Sequence, residues 1–307
     1  EEENICLPLS INAVSKYWSV DLPLSEAVEI AKKYPNVNGS ILIEGIELAE
    51  RHGLGSLILH SSISELKKII DMGIPPIVIL PGLHDIIQHA SIISGYDDGE
   101  KTIIHYIPQQ HKEDQFQIGV IPEKKFDSLW EEDGRLMIIL APLDILSEIK
   151  IGDKKLDKSN RLCFVSERLN IQRKSDEAIQ SLKKAIEIDN KNSTAFALLG
   201  GILNEQNSPE CVKYYEKSIA INDRCYLAYR GLGNYYLKNK QYDKAEQYYT
   251  KAIEIDTTRF GPIHKNRGLA RLEQKKTIEA KQDFENYLKY TPNAKDKQSI
   301  LQAIREL

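Results

Sequence analysis

Cysteine is scarce in this sequence, with four residues among 307: Cys6, Cys163, Cys211 and Cys225. So few cysteines exclude a disulfide-stabilised scaffold and indicate reduced thiols in a cytosol-like compartment. Long apolar runs are also absent, since none approaches the roughly 18 residues that a membrane span requires. The chain begins with glutamate and shows no apolar leader, so we expect a cytoplasmic protein; prior removal of an export signal stays open.

A strong excess of one charge is missing as well. The net charge of −4 gives no whole-chain case for nucleic-acid binding. The distribution is uneven, however: residues 1–142 hold 11 Lys and Arg against 22 Asp and Glu, whereas residues 143–307 hold 30 against 23. The two compositions predict a domain boundary near residues 143–160, and their opposite charges predict that the two halves attract each other.

The C-terminal half repeats one helical template. Its copies start 33, 34 and 35 residues apart, and each follows a second segment with apolar residues at helical spacing. A period near 34 with two helices per unit is typical of tetratricopeptide repeats, which residues 160–292 resemble. We expect about four repeats and a capping helix at 294–306, that is, an all-α solenoid. The copies are DEAIQSLKKAIEID (176–189), PECVKYYEKSIAIN (209–222), DKAEQYYTKAIEID (243–256) and IEAKQDFENYLKYT (278–291).

Small residues recur where the two helices of each unit must approach closely. Gly200, Gly233 and Gly268 occupy this crossing position, and Ser166 does so in the first unit. Close packing of two helices leaves no room for a long side chain, so we expect each of these residues to face its neighbouring helix.

The N-terminal half has a different pattern. Helices are predicted at 6–18, 25–34, 41–53 and 62–73 from apolar periodicity and capping residues. Strands rich in Ile and Val are predicted at 75–81, 90–96, 101–107 and 136–142, with Asp98-Gly99 as a hairpin turn. Helices followed by strands indicate an α+β domain rather than a parallel doubly wound sheet.

Cys6 opens the first predicted helix, a position that favours a thiolate because unpaired N–H groups and the helix dipole stabilise an anion there. A nucleophilic thiolate also requires an imidazole, and His89 lies at the start of an apolar strand that could present one. The alternative is that Cys6 is a small core residue and His89 a structural histidine.

The order of Cys6-Leu7-Pro8, His89 and GYDDG resembles the papain-like cysteine peptidases that process double-glycine leader peptides of bacteriocins. The resemblance covers residues 4–142 and implies an α+β papain-like domain with Cys6 as nucleophile and His89 as base. Leu7 replaces the family glycine, and the orienting carboxylate falls on Tyr106. Asp97 is a possible substitute, and Asn4 offers the only amide near the cysteine for an oxyanion hole.

The repeats imply a groove that binds a protein or peptide partner. The first helix of each unit would line it with Asn204, Arg230, Asn234, Lys265 and Asn266, of which Arg230, Asn234 and Asn266 partly resemble a carboxylate clamp. We therefore predict a peptidase-like domain at 1–142, a linker at 143–159 and the repeats at 160–307. No metal or cofactor is expected.

Two hypotheses about function stay open. The first is a cysteine peptidase that hydrolyses peptide bonds and recruits protein substrates through its repeats. The second is a catalytically degenerate peptidase fold that binds peptides as an interaction scaffold.

Overall fold

The computed structural model describes residues 5–34, 37, 40–81, 88–108, 116–151 and 154–307. Two compact units divide the chain: Glu1–Leu80 with Gln88–Ala195 form the first, and Phe196–Leu307 form nearly all of the second. Within the described ranges, no helix is both long enough and apolar enough to cross a membrane.

Six strands of the first unit form one sheet. They are β1 (Gly55–His60), β2 (Ile77–Pro81), β3 (Gln88–Asp97), β4 (Thr102–Pro108), β5 (Phe116–Pro122) and β6 (Leu136–Ala141). Their order across the sheet is β1-β6-β2-β3-β4-β5, and β1 with β6, β2 with β6, β3 with β4 and β4 with β5 are antiparallel. Strand β6 is an unbroken apolar run because it lies in the interior of the sheet and is buried on both faces.

Helices cover both faces of this sheet. One hydrophobic cluster joins the first three helices to one face, and a second cluster joins the fourth and fifth helices to the other. The sequence prediction of an α+β domain is therefore confirmed at the level of a sheet with helices. The helices of this unit are α1 (Cys6–Tyr17), α2 (Leu24–Lys32), α3 (Leu42–Arg51), α4 (Ile63–Asp71), α5 (Glu123–Glu132), α6 (Leu143–Glu148), α7 (Lys154–Ile171) and α8 (Ser175–Ile188).

Two strands were not predicted from the sequence. The apolar run of β1 is only three residues long, Leu57–Leu59, which is too short to distinguish from a loop. Strand β5 is interrupted by Gln117 and Gly119, and glycine in a strand weakens the pattern. Because β1 lies between α3 and α4, helices and strands alternate more than the sequence pattern indicated.

Helix α7 covers the β1 edge of the sheet. The backbone N–H of Ile58 donates to Asp157 Oδ1 at 2.7 Å, and Asn160 Nδ2 donates to the carbonyl oxygen of Ile58 at 2.7 Å. These side chains form hydrogen bonds with backbone groups that have no neighbouring strand to pair with at the edge of the sheet. Residues 143–159, predicted as a linker, thus include α6 and the start of α7, and the first compact unit continues to Ala195.

The second unit is a stack of helices. Helices α9 to α14 follow one another as three helix pairs, and Ile300 of the last helix joins the apolar cluster of Phe284 and Tyr287, as expected of a capping helix. The helices are α9 (Ser193–Glu205), α10 (Cys211–Ile221), α11 (Tyr226–Lys238), α12 (Tyr242–Ile255), α13 (Pro262–Glu273), α14 (Thr277–Tyr290) and α15 (Lys297–Glu306).

An aromatic ring from the second helix of each pair fills the space beside the crossing glycine. A Cβ atom on Gly200 would lie 2.8 Å from the ring of Tyr215, and one on Gly268 would lie 2.9 Å from Phe284. The predicted need for small residues at these crossings is therefore confirmed, and the rings of Tyr215 and Tyr249 are buried beside them.

Candidate functional site

Cys6 begins α1 and lies beside β3. Its Sγ atom accepts a hydrogen bond from the backbone N–H of Ala90 at 3.5 Å, and the side chain packs partly buried against the core of the first unit. Burial raises the pKa of the Cys6 thiol, although the backbone N–H groups of Ala90, Leu7 and Cys6 itself act in the opposite direction. The helix terminus thus supplies N–H donors, but burial outweighs them and favours the neutral thiol.

His89 precedes Ala90 on β3, so the fold brings the predicted base close to the predicted nucleophile along the strand. Among the described residues, however, no hydrogen bond joins the two side chains. Burial lowers the pKa of the His89 imidazole, and the nearby His105 lowers it further. A thiolate–imidazolium pair requires the thiol to lose a proton and the imidazole to gain it, and both environments here favour the neutral forms.

The predicted orienting groups have other partners. Asp97 Oδ1 accepts hydrogen bonds from the N–H groups of Gly99 and Glu100, and therefore stabilises the hairpin turn between β3 and β4. It lies eight residues from His89 on an extended strand, roughly 26 Å away at about 3.3 Å per residue. Tyr106 packs against the apolar core of the first unit and lines a cavity there. Asn4 lies outside the described residues.

His105 occupies the position before Tyr106 on β4. Its Nδ1 lies 2.9 Å from Ser91 Oγ, and Ser91 is completely buried. Burial lowers the pKa of His105. The His105–Ser91 pair therefore stabilises the interior of the sheet between β3 and β4. Within the described ranges, no group of three or more His, Cys, Asp or Glu side chains could hold a metal ion.

The predicted groove residues all lie in the second unit, on the first helices of the three pairs. Asn204 Nδ2 donates to the carbonyl oxygen of Gly231 at 3.2 Å and thereby connects α9 to α11. Asn234 Oδ1 accepts hydrogen bonds from Tyr249 at 2.8 Å and from Asn266 Nδ2 at 3.4 Å, which connects α11 to α13. The three asparagines, one on each first helix, thus form an amide row that connects α9, α11 and α13.

Arg230 is the unusual member of this set. Its guanidinium carbon lies 4.9 Å from the ring centroid of Phe260, and within the described chain it has no hydrogen bond or ion pair. Burial lowers the pKa of Arg230, and the neighbouring guanidinium of Arg259 lowers it further. A desolvated cation next to a second cation gains most from an anion, so this position favours binding of a carboxylate.

Lys265 differs from Arg230 because its charge is already neutralised. Its Nζ atom lies 2.7 Å from Asp296 Oδ2 and 5.0 Å from the ring centroid of Tyr287. The same Asp296 accepts a hydrogen bond from the hydroxyl of Tyr287 at 2.6 Å. Lys265 therefore connects α13 to the residue before α15.

An open cavity of about 320 Å³ lies beside the amide row. Lys238 contributes to it and was not predicted from the sequence, although it follows Asn234 by four residues and so shares its helix face. The amide nitrogen of Asn234 makes no hydrogen bond among the described residues and is available to a ligand. The lining residues are Asn204, Glu205, Asn234, Leu237, Lys238 and Tyr249.

The helix pairs and their crossing residues can be compared with known families. Residues 226–258 and 171–192 each match the tetratricopeptide repeat family. The chain contains tetratricopeptide repeats. The two matched segments correspond to α11 with α12 and to the end of α7 with α8.

Curated relatives share these tetratricopeptide repeats over part of their length. The type IV pilus assembly protein PilF of Pseudomonas aeruginosa is 27% identical over 124 residues, which are 39% of this chain and 48% of that protein. Anaphase-promoting complex subunit 3 of Schizosaccharomyces pombe is 30% identical over 95 residues, 31% of this chain and 14% of that protein. The chain thus spans less than half the length of both relatives. The solved structure of Pseudomonas aeruginosa PilF is 24% identical, with a TM-score of 0.46, and the match covers 50% of this chain and 72% of that one.

Proposed function

We propose that this protein is an interaction scaffold whose tetratricopeptide repeats bind a peptide segment of a protein partner. The observation that carries the proposal is the unpaired guanidinium of Arg230 on α11, the helix on which Asn234, four residues further on, lines the open cavity with its free amide nitrogen. Amide donors can bind an extended peptide backbone, and a guanidinium can bind a carboxylate of the same peptide.

We further infer that residues 1–142 of the first unit form a catalytically degenerate, papain-like domain. A helix that opens with cysteine, packed against a strand whose second residue is His89, supports this assignment. The raised thiol pKa and the lowered imidazole pKa favour a domain that does not hydrolyse peptides. Peptide-bond hydrolysis is the alternative, and the short distance between Cys6 Sγ and the strand of His89 is the observation in its favour.

Peptide binding is tested with the full chain and a peptide that carries free carboxylates and is selected from a display library. Replacing Arg230 by Gln is expected to raise the dissociation constant about tenfold or more, because a charge-assisted hydrogen bond contributes about 1.5–3 kcal/mol. Fluorescence anisotropy measures the constant. Lys251→Gln is the control, since Lys251 is exposed and forms an ion pair with Glu254 on its own helix. Equal binding by the wild type and Arg230→Gln would contradict the proposed groove.

Thiol labelling tests the first unit. The rate at which iodoacetamide alkylates Cys6 is expected to be low below about pH 7, where little thiolate is present. The rate should rise only above the ordinary pKa range of a thiol, about 8.5. His89→Ala is expected to leave this profile unchanged, because the imidazole is neutral and does not stabilise the thiolate. Mass spectrometry of the labelled peptide measures the rate. Rapid labelling at pH 6 that His89→Ala abolishes would instead support a peptidase.

A further inference from the structure

Arg230, Asn234 and Leu237 form one row along α11. They occupy positions i, i+4 and i+7 of the helix, a spacing that places their side chains on the same face. Asn234 and Leu237 both line the open cavity of about 320 Å³. The row therefore begins with a cation, continues with an amide and ends with an aliphatic side chain.

Helix α13 runs beside α11 in the same direction. The guanidinium carbon of Arg230 lies 4.9 Å from the ring centroid of Phe260, just before α13, and Asn234 accepts a hydrogen bond from Asn266, inside α13. Later residues of one helix thus meet later residues of the other. Three residues beyond the two asparagines come Leu237 and Leu269, so the two leucines are expected to be neighbours at the end of the row.

Leu269 extends this row with exposed apolar surface. Its side chain is 41% exposed, and Leu237 is half-buried. A single exposed leucine is common on a protein surface, but this one follows an unpaired cation and an amide on the wall of a cavity. Covering it with an apolar side chain of a ligand would remove that surface from water, which is favourable.

Charge places an acidic ligand group at the Arg230 end of the row. Arg230 has no ion pair within the part of the chain that the structure describes, and the positive charge of Arg259 acts on it. At the opposite end, Lys238 and Glu205 both line the cavity, so that positive and negative side chains balance there. A carboxylate therefore gains most beside Arg230.

We propose that the repeats bind peptides in which an acidic residue and an aliphatic residue are three positions apart. This inference rests on the proposed function, because it concerns the same groove, and it adds the sequence pattern of the partner. The carboxylate pairs with Arg230, and the aliphatic side chain packs on Leu237 and Leu269. Between these two anchors, the amide nitrogen of Asn234 donates to a carbonyl oxygen of the peptide backbone.

The spacing follows from the dimensions of α11. Seven residues separate Arg230 from Leu237, which corresponds to about 10.5 Å along the helix axis. A peptide in the polyproline II conformation has three residues per turn, so residues three positions apart lie on the same side and span about 9 Å. In a β-strand, residues three positions apart point to opposite sides. Polyproline II is therefore the conformation that lets both side chains reach the row.

Fluorescence anisotropy with the full chain tests this pattern. The probes are the carboxylate-bearing peptide selected from the display library and a version in which its aliphatic residue is replaced by alanine. For the selected peptide, Leu269→Ala is expected to raise the dissociation constant about threefold to tenfold, because part of the apolar contact is lost. For the alanine peptide, the same variant should change the constant by less than about twofold, since the contact is already absent. Ile278→Ala is the matched control, because Ile278 is 84% exposed on α14, and it should leave both constants unchanged.

Two results would overturn the inference. One is a selected peptide without an aliphatic residue three positions from its acidic residue. The other is a Leu269→Ala variant that binds the two peptides with equal losses or with none. If Arg230→Gln still weakens binding, either result leaves the proposed function intact, whereas binding that is indifferent to Arg230→Gln contradicts the groove itself. Circular dichroism of Leu269→Ala verifies that it is folded, as expected for alanine at an exposed helix position.

Discussion

Replacing Asp283 by Ala is expected to destabilise the second unit by about 3–5 kcal/mol, because it removes the buried carboxylate that pairs with the half-buried guanidinium groups of Arg267 and Arg271. Asp283 is completely buried and accepts hydrogen bonds from Arg267 at 2.7 and 3.0 Å and from Arg271 at 2.9 Å. Hydrogen exchange of the α13 and α14 amides in the full chain measures the loss directly. Glu254→Ala is the control, because Glu254 forms an exposed pair with Lys251. We expect Glu254→Ala to lower the free energy of unfolding by about 0.5 kcal/mol or less.

The same carboxylate predicts a dependence on pH. Burial alone would raise the pKa of Asp283, but the imidazole of His264 at 3.9 Å, the hydrogen bonds from Arg267 and the charges of the two arginines lower it overall. A carboxyl whose pKa is lower in the folded than in the unfolded state stabilises the fold above its unfolded pKa of about 3.9 and loses this contribution as pH falls through the folded value. The stability difference between the wild type and Asp283→Ala should therefore be constant near neutral pH and shrink below about pH 4. A difference that stays constant down to pH 2 would mean that Asp283 acts by packing alone.

Replacing Gly233 by Ala is expected to destabilise the repeats by about 1–3 kcal/mol through overpacking. A Cβ atom at this position would lie 2.5 Å from the ring of Tyr249, which is itself completely buried and cannot move aside. Gly201→Ala is a matched control on α9, because its Cβ would meet only the hydroxyl of Tyr215 at 3.9 Å. Since alanine is the better helix former, Gly201→Ala should stabilise the protein by up to about 1 kcal/mol. Urea denaturation followed by circular dichroism compares the two, and equal effects would show that the glycine at the crossing is not required.

The repeats could be predicted well from the sequence because their helices meet only near neighbours in the chain. The helix period, the crossing residue and the unit length all repeat. Gly200 and Gly233 therefore occupy equivalent positions and indicate the same contact between the two helices of a repeat. The sheet could be predicted only in part. Strand order depends on contacts between distant segments, and the position of β1 beside β6 leaves no local signal in Gly55–His60.

The protonation states of Cys6 and His89 were harder to predict from the sequence than the helix and the strand that contain them. The sequence correctly indicated that a helix begins at Cys6 and that a strand contains His89. It could not indicate how much water surrounds each side chain, and desolvation dominates both pKa values. Likewise, Arg230 and Lys265 look equivalent as basic residues of the repeat, but only the folded chain places Asp296 against the lysine.

The position of α7 has a practical consequence for dividing this protein into fragments. A fragment that ends near residue 142, where the composition changes, would retain β1 but lose Asp157 and Asn160. The backbone N–H and C=O groups of Ile58, in the middle of the apolar strand β1, would then lack partners and could pair with another polypeptide chain. Such a fragment would be expected to self-associate or precipitate on expression, whereas one that ends near Ala195 would keep its protecting helix.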